Sequence, residues 1–330
     1  MRAITYDRFG PAADVLTLAE QDSTAPGQGE VAVSLVYSAV NPSDVKARSG
    51  ARPGVTHPPF PTIIPHSDGA GVITKAGPGV DPARIGQRVW IWNGQWQRPF
   101  GTAAETITLP EAQAVPMPDA MSDEQGAVMG IPGLTAAQVV FGGGDVAGKT
   151  LLVQGGAGTV GYLAVQLAKR GGAHVIATAR GAGIGRCRDA GADAVIDYAA
   201  RDCAAQILQA NAGREVDRII EVEFGANIGV TAEVIAPCGT VAVYGSALNM
   251  TPEIPFGSLL FKAVSIDISL IYILPDPQRH ACIDRLHDAV TAGALHCPVA
   301  EKVPLAETAR AHELVERGSR TGAVLIDVRA

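Results

Sequence analysis

The sequence has few cysteines, and their spacing excludes two classes of small stabilised domain. Five cysteines are spread over 330 residues, and none belongs to a Cys-x-x-Cys pair. Disulfide frameworks and zinc knuckles need closely spaced thiols, so neither is expected here. We predict that the cysteines are isolated, small, buried or half-buried residues. They are Cys187, Cys203, Cys238, Cys282 and Cys297.

An excess of basic charge is also missing. The chain has 26 Lys and Arg against 33 Asp and Glu, which gives a net charge of −7. A surface for nucleic acid needs clustered Lys and Arg facing phosphate, and the sequence has no such cluster. We therefore expect no nucleic-acid partner.

Long hydrophobic runs are absent as well. The most apolar late stretch, 264–274, is interrupted by Asp267 and is far shorter than the roughly 20 residues that span a bilayer. Arg2, Asp7 and Arg8 stand where a signal peptide would have its apolar run. These features predict no membrane partner and a cytoplasmic location.

The first 120 or so residues contain short alternating runs between Gly and Pro. This period-two pattern is typical of antiparallel strands in a compact β domain, and no helix of convincing length is predicted there. The runs are 31–37, 71–74, 88–92 and 104–109.

From Thr150 onward, short apolar strands alternate with helical stretches. Alternation of this kind predicts βαβ units and a parallel sheet covered on both faces. The predicted strands are 150–154, 174–178, 194–197, 218–222, 240–244 and 266–272. The tail adds predicted helices at 278–292 and 305–316 and a last strand at 324–328. At 330 residues, the chain is long enough for about two domains.

A glycine-rich turn joins the first of these strands to an amphipathic helix. Gly155, Gly158 and Gly161 have the spacing G-x-x-G-x-x-G, a variant of the dinucleotide fingerprint. Such a turn is tight, lets the backbone approach a pyrophosphate, and points a helix N-terminus at it. The turn therefore predicts a dinucleotide cofactor.

The residues after the second strand favour NADPH over NADH. NAD-specific sites usually carry an acid about 20 residues past the fingerprint, yet no Asp or Glu lies between Asp145 and Asp189. Arg180 ends the strand instead, followed by Arg186 and Arg188. A guanidinium can bind a 2′-phosphate through two hydrogen bonds, and Arg180 is the best placed.

An ordered set of motifs runs along nearly the whole chain. Besides the glycine-rich turn, the motifs are 39–50, 64–71, 86–89, 132–136, 191–198 and 239–245. In this order they resemble the motifs of the zinc-independent quinone oxidoreductases, the ζ-crystallin-like branch of the medium-chain dehydrogenase/reductase superfamily. The resemblance implies a GroES-like β-rich catalytic domain, a Rossmann domain with a doubly wound parallel sheet, and a tail that returns to the first domain. The implied boundaries are 1–122, 123–266 and 267–330. It also implies an active site in the cleft between the domains and a homodimer.

The resemblance assigns roles to particular residues. It places Asn41 near the nicotinamide and the substrate, and Thr135 near the nicotinamide half. The remaining cofactor contacts, besides the three fingerprint glycines, are Thr159 and Val160 at the pyrophosphate, Arg180 and Tyr198 at the 2′-phosphate, and Gly245 and Ser246 closing over the cofactor.

Zinc-containing relatives have Cys, His and Cys at positions that correspond here to Asn41, Ser67 and Ile131. An isoleucine side chain cannot bind zinc, so no metal is expected. His66, beside the lost ligand position, is expected to be a structural residue.

Related quinone reductases have tyrosines where this chain has Lys46 and Arg52. Two cations suit a carbonyl oxygen or an anionic group better than a flat quinone, and both side chains could instead point to solvent. Catalytic roles are therefore predicted for Asn41, Lys46 and Arg52, with Arg48 as possible electrostatic support and Asp44 as an organiser of that loop.

Three functions remain open at this point. The first is an NADPH-dependent quinone reductase, and the second is a reductase of enones or related α,β-unsaturated carbonyl compounds. The third is a non-catalytic NADPH-binding redox sensor.

Overall fold

The computed structural model describes residues 1–51, 54–318 and 320–330. Its strands are β1 (Arg2–Thr5), β2 (Thr17–Glu20), β3 (Glu30–Val40), β4 (Asp68–Ala76), β5 (Arg88–Ile91), β6 (Thr106–Pro110), β7 (Ala114–Pro116), β8 (Thr150–Val153), β9 (His174–Ala179), β10 (Ala194–Asp197), β11 (Val216–Glu221), β12 (Ile235–Val243), β13 (Ser265–Ile268), β14 (Val299–Pro304) and β15 (Ala323–Asp327). Its helices are α1 (Ala12–Val15), α2 (Pro42–Ser49), α3 (Asp123–Gly126), α4 (Leu134–Phe141), α5 (Thr159–Arg170), α6 (Gly183–Asp189), α7 (Cys203–Ala210), α8 (Phe224–Val234), α9 (Phe256–Phe261), α10 (Asp276–Thr291) and α11 (Thr308–Arg317).

The chain forms two compact units, and the first comprises Met1–Ile131 and Cys297–Ala330. Its larger sheet has the order β14-β15-β3-β4-β5-β7, and β6 also pairs with β3. Strand β3 is central, antiparallel to β4, β6 and β15. A continuous apolar core lies against this sheet and includes Val33, Ile73 and Ile326.

The second unit, Pro132–His296, is built on a parallel sheet of order β10-β9-β8-β11-β12-β13. This is the strand order of a doubly wound dinucleotide-binding sheet. The order in which strands are added to the sheet reverses between β8 and β11. Strands β8 and β9 are almost wholly buried, which fits a sheet covered by helices on both faces. The predicted Rossmann sheet is confirmed.

The unit boundaries differ from the predicted ones. Residues 123–131 lie in the first unit, and residues 267–296 lie in the second. The physical reason for the second difference is packing: β13 pairs in parallel with β12, and α10 packs against α4. Residues 297–330 lie in the first unit, where β15 pairs with β3.

One helix of more than a single turn was not expected in the first 120 residues. Helix α2 has eight residues and begins after Asn41 with Pro42 in its first turn. Asp44 accepts a hydrogen bond from the Asn41 backbone N–H at 2.7 Å, and Gly50 ends the helix with φ of 76°. The sequence Asn-Pro-Ser-Asp thus has an N-cap residue followed by Pro, which favours a helix start. The surrounding period-two pattern predicted strands instead.

The predicted strand 266–272 is shorter than expected. Strand β13 ends at Ile268, and a short 3₁₀ turn follows at Ile271–Ile273. Among the described residues, no helix is both long and apolar enough to cross a membrane.

Candidate functional site

The carboxyl edge of the parallel sheet gathers the predicted cofactor residues of the second unit. Strands β8, β9 and β10 lie side by side, with Val153 opposite Ala177 and Ala179 opposite Asp197. The segments that follow these strands therefore leave the sheet at the same edge. They carry the glycine-rich turn, Arg180 and Tyr198.

Two glycines of the turn are required by its geometry. Gly155 has φ of 65°, in the left-handed region that favours glycine. A Cβ on Gly161 would lie 2.4 Å from the Gly155 carbonyl oxygen and 2.8 Å from the Gly156 Cα. The first turn of α5 therefore packs directly on the loop backbone. Gly158, by contrast, is the N-cap of α5 in an extended conformation, and a Cβ there would be 3.4 Å from its nearest neighbour.

The turn is anchored from β9 by Thr178. The Gly155 N–H donates to Thr178 Oγ1 at 3.1 Å, and Thr178 Oγ1 donates to Gln154 Oε1 at 2.7 Å. Gly156 N–H donates to the Thr178 carbonyl at 2.9 Å. Because α5 begins at Thr159, helix geometry leaves the N–H groups of its first turn without intrahelical partners. The turn is thus held rigidly beside a set of donors suited to an anion.

Arg180 and Tyr198 are neighbours at the ends of β9 and β10. The Tyr198 N–H donates to the Ala179 carbonyl at 3.3 Å, and the Tyr198 side chain is 52% exposed. Arg180 is exposed as well. Asp197 accepts from the Ala199 N–H at 2.9 Å, so this carboxylate is engaged within its own turn.

Arg186 is a second cation at the turn, and its position was not predicted. Its Nε donates to the Ala157 carbonyl at 3.2 Å, and its guanidinium carbon lies 5.2 Å from the centre of the Tyr162 ring. Tyr162 belongs to the first helical turn of α5. The helical spacing of α6, which places Arg186 toward the turn and Arg188 toward solvent, was the signal available in the sequence.

The loop after β12 is organised by side chains within the second unit. Ser246 Oγ accepts from the Gly225 N–H at 2.9 Å and donates to the Asn249 carbonyl. Glu223 accepts from the N–H groups of residues 247 and 248 at 2.8 and 2.7 Å. A Cβ on Gly245 would lie 2.4 Å from the Val222 carbonyl oxygen. Sequence reasoning placed Gly245 and Ser246 here but missed Glu223, which holds the loop.

In the first unit, Asn41 and Ile131 meet at a buried carboxyl group. Asp68 Oδ2 accepts from Asn41 Nδ2 at 2.8 Å and from the Ile131 N–H at 3.0 Å. Burial raises the pKa of Asp68 well above its usual range, and the negative charge of Asp44 adds to the effect. Two of the three positions that correspond to zinc ligands thus contact one carboxyl oxygen, and Ser67 precedes it in the chain.

His66 lies in a directional chain of buried hydrogen bonds. A carbonyl oxygen only accepts, so the Thr102 hydroxyl must donate to the Asp68 carbonyl, 2.6 Å away. The Thr102 hydroxyl therefore accepts from the Ser38 hydroxyl, 2.8 Å away. Ser38 then accepts from His66 Nδ1 (2.8 Å), and His66 Nε2 accepts from His312 Nε2 (2.8 Å). Burial lowers the pKa of His66 to about 3 and that of His312 well below its usual value, so both rings are neutral. His66 thus has structural partners at both ring nitrogens.

The other predicted residues of the first unit have mixed outcomes. Lys46 is exposed on α2. Arg48 is buried and binds Glu316 and the Gly10 carbonyl, so it holds α2 in place and is not available as the electrostatic support considered above. Arg52 lies outside the described residues. Thr135 is buried in the first turn of α4, in the second unit.

Two family models match the chain. An alcohol dehydrogenase GroES-like domain matches residues 27–119, and a zinc-binding dehydrogenase model matches residues 159–286. The first match lies in the first unit, so the prediction of a GroES-like domain is confirmed, and the second lies in the parallel-sheet unit.

Curated relatives include a quinone oxidoreductase and a synaptic vesicle membrane protein homolog. The chain is 33% identical to the chloroplastic quinone-oxidoreductase QR1 of Triphysaria versicolor, over 67% of each protein. It is 31% identical to the human synaptic vesicle membrane protein VAT-1 homolog, over 69% of this chain but 56% of that protein.

Solved structures give the same fold over almost the whole chain. A mycobacterial protein in complex with NADPH has a TM-score of 0.87 at 26% identity, covering 99% of this chain and 100% of that one. An NAD-dependent alcohol dehydrogenase has a TM-score of 0.87 at 28% identity, with the same coverage. The chain belongs to the medium-chain dehydrogenase/reductase superfamily, as a quinone oxidoreductase-like member.

Proposed function

We propose that this protein is an NADPH-dependent quinone reductase that needs no zinc. The observation that supports it best is the carboxyl edge of the parallel sheet. There the Gly155–Gly161 turn presents helix N–H groups, and exposed Arg180 follows β9 where NAD-specific sites have an acid.

NADPH is proposed over NADH on electrostatic grounds. A 2′-phosphate carries negative charge, so Arg180 attracts it, while an acid at this position would repel it. Arg186, held over Tyr162, adds a second positive charge beside the turn. The mycobacterial neighbour solved with NADPH agrees with this choice, and the NAD-dependent neighbour makes the comparison of the two cofactors an informative test.

The bound reduced nicotinamide would supply hydride, and the chain would bind and orient the reactants. When a carbonyl oxygen of a quinone gains negative charge, a fixed N–H donor stabilises it. Asn41, which the resemblance places near the nicotinamide and substrate, has such a donor in its side-chain amide. Lys46 is exposed and could add positive charge, and solvent can deliver the one proton that, together with the hydride, completes the quinol. Arg52 keeps its predicted catalytic role as a proposal.

The residues at the corresponding zinc positions do not fit a zinc ion. Asn41 Nδ2 and the Ile131 N–H both point into Asp68, and the Ile131 side chain has no donor atom. Within the described ranges, no group of three or more His, Cys, Asp or Glu could hold a metal. The match to a zinc-binding dehydrogenase model therefore does not imply a zinc ion here.

Turnover by the purified protein tests the proposal. We expect NADPH oxidation, followed at 340 nm, with 1,4-naphthoquinone, unchanged after dialysis against a zinc chelator. Turnover with a simple enone but not with quinones would support the alternative reductase. Tight NADPH binding without turnover on either class would favour the redox sensor, and no NADPH binding would refute the proposal.

We also propose that the protein is a homodimer joined through the edge of the parallel sheet. In the described part of the chain, β13 pairs on one side with β12, so its other edge is open. Ile268 is 75% exposed on this strand, and Phe261 just before it is 91% exposed. An exposed apolar sheet edge invites pairing, and antiparallel pairing with a second copy covers both edges at once. A cytoplasmic location stays a prediction.

A further inference from the structure

Asp68 is a carboxylic acid fixed at three points within the first unit. Its Oδ2 accepts from Asn41 Nδ2 at 2.8 Å and from the Ile131 N–H at 3.0 Å. Its carbonyl oxygen accepts from Thr102 Oγ1 at 2.6 Å. The partners come from the end of β3, the segment before α4 and the loop before β6. Asp68 therefore has little freedom to move.

The second oxygen of this carboxyl group has no partner among the described residues. Asp68 Oδ1 is buried, and a Cβ on Gly130 would lie 2.2 Å from it, so the absence of a side chain there makes room for the acid. The groups that bind Asp68 are neutral N–H donors, and the charge that acts on it is the carboxylate of Asp44. Because no cation among the described residues stabilises the anion, the neutral acid is the form that this environment favours.

The hydrogen bond to Asp68 has a direct consequence for Asn41. A side-chain amide has two N–H donors, and one of them is committed to Asp68. The Asn41 main chain is held separately, because its N–H donates to Asp44 Oδ2 at 2.7 Å. One side-chain N–H therefore remains for a ligand, and its direction is determined by the bond to Asp68.

We propose that Asp68 is a positioning residue that aims the free side-chain N–H of Asn41 at the substrate oxygen. This inference rests on the proposed function, in which Asn41 contacts the reacting groups. The simpler reading is that Asp68 only stabilises the first unit. The two readings differ in what they predict for variants of Asp68 that fold.

The experiment compares Asp68→Asn, Asp68→Leu and Asn41→Ala in the full chain, singly and with Asp68→Leu combined with Asn41→Ala. Asparagine keeps a neutral acceptor of the same shape, whereas leucine of similar size has none. We expect Asp68→Leu to lower kcat for naphthoquinone about tenfold to hundredfold, the effect of losing one well-placed donor. The KM for NADPH should stay within about twofold, and Asp68→Asn should recover most of the loss.

The double variant separates positioning from stability. If Asp68 acts through Asn41, then Asp68→Leu combined with Asn41→Ala should be no slower than Asn41→Ala alone. Losses that multiply, or a folded Asp68→Leu protein with wild-type kcat, would overturn the inference. Thermal unfolding of each variant shows whether it is folded under assay conditions.

A measurement without turnover keeps the inference testable if the proposed function fails. In ¹⁵N NMR spectra, the Asn41 side-chain amide proton that is bonded to Asp68 should be shifted downfield and exchange slowly with solvent. Both features should persist in Asp68→Asn, whereas in Asp68→Leu this proton should move toward the shift of an unbonded amide and exchange faster. Identical amide signals in wild type and Asp68→Leu would refute the positioning, whereas an inactive wild type with the expected signals would refute only the quinone reductase.

Discussion

Adding one methyl group to the glycine-rich turn should weaken cofactor binding by a predictable amount. In Gly161→Ala, the new Cβ would lie 2.4 Å from the Gly155 carbonyl oxygen and 2.8 Å from the Gly156 Cα. Both atoms are backbone, so the turn and the start of α5 must separate. Overpacking of this kind typically costs about 1–3 kcal/mol. Where the strain falls on the binding conformation, the Kd for NADPH should rise about tenfold to hundredfold.

Gly229→Ala is the matched control for this substitution. Gly229 lies within α8, and a Cβ there would have no neighbour within 4 Å. Alanine within a helix is more favourable than glycine by about 0.5–1 kcal/mol, so this variant should be slightly more stable and bind NADPH normally. Isothermal titration of both variants, with thermal unfolding in parallel, provides the comparison. Normal NADPH affinity in a folded Gly161→Ala protein would refute the reasoning that places the pyrophosphate on this turn.

Three further predictions concern charge, assembly and pH. Arg180→Ala should raise the KM for NADPH about tenfold to hundredfold, with little change in the KM for NADH. The control Arg214→Ala removes an exposed arginine that precedes β11 and should change neither KM. Equal effects of Arg180→Ala on both cofactors would contradict the 2′-phosphate contact. Ile268→Lys should convert a dimer into a monomer in sedimentation velocity, and an unchanged sedimentation coefficient would contradict the sheet-edge interface. Because burial lowers the pKa of His312 from its usual 6.5, its ring takes up a proton on unfolding below about pH 6.5, so its contribution to stability is lost as the pH falls. Between pH 6.5 and 5.5, the free energy of unfolding of His312→Gln, from urea titrations, should fall by about 1 kcal/mol less than that of the wild type, and identical falls would contradict a neutral buried ring.

The second unit was predictable because its signals are local. A strand, a glycine turn and an amphipathic helix follow one another in the sequence, and each βαβ step has one favoured handedness. Gly155, Gly161 and Arg180 could therefore be placed at one edge of the sheet before the structure was known. The extent of the unit was less predictable, since the packing of α10 on α4 is a contact between distant segments.

The first unit was less accessible because its key contacts join residues far apart in the chain. His66 and His312 are separated by 246 positions, yet they are hydrogen-bonded partners. Asp68 contacts Asn41, which lies 27 positions before it, and Ile131, which lies 63 positions after it. Composition and periodicity carry no information about such pairings, so the sequence identified Asn41 but not the acid that holds it.

For some residues the structure shows the expected location but contacts that differ from the predicted role. From the sequence, Arg48 was expected to be a cation available to a substrate. Its side chain is buried and bonded to Glu316, so it instead holds α2 in place. The hydroxyl of Ser246 already has two partners within its own loop, so any contact with a cofactor there would involve backbone or a rearranged side chain. These outcomes depend on side-chain orientation, which residue type alone does not determine.

Calorimetric titration of the unmodified protein with NADPH and with NADH tests the central claim most directly. The glycine-rich turn followed by Arg180 predicts saturable binding of one NADPH per chain, at least about tenfold tighter than NADH. Equal affinities, tighter binding of NADH, or no binding of either cofactor would contradict the assignment of this edge of the sheet as an NADPH site.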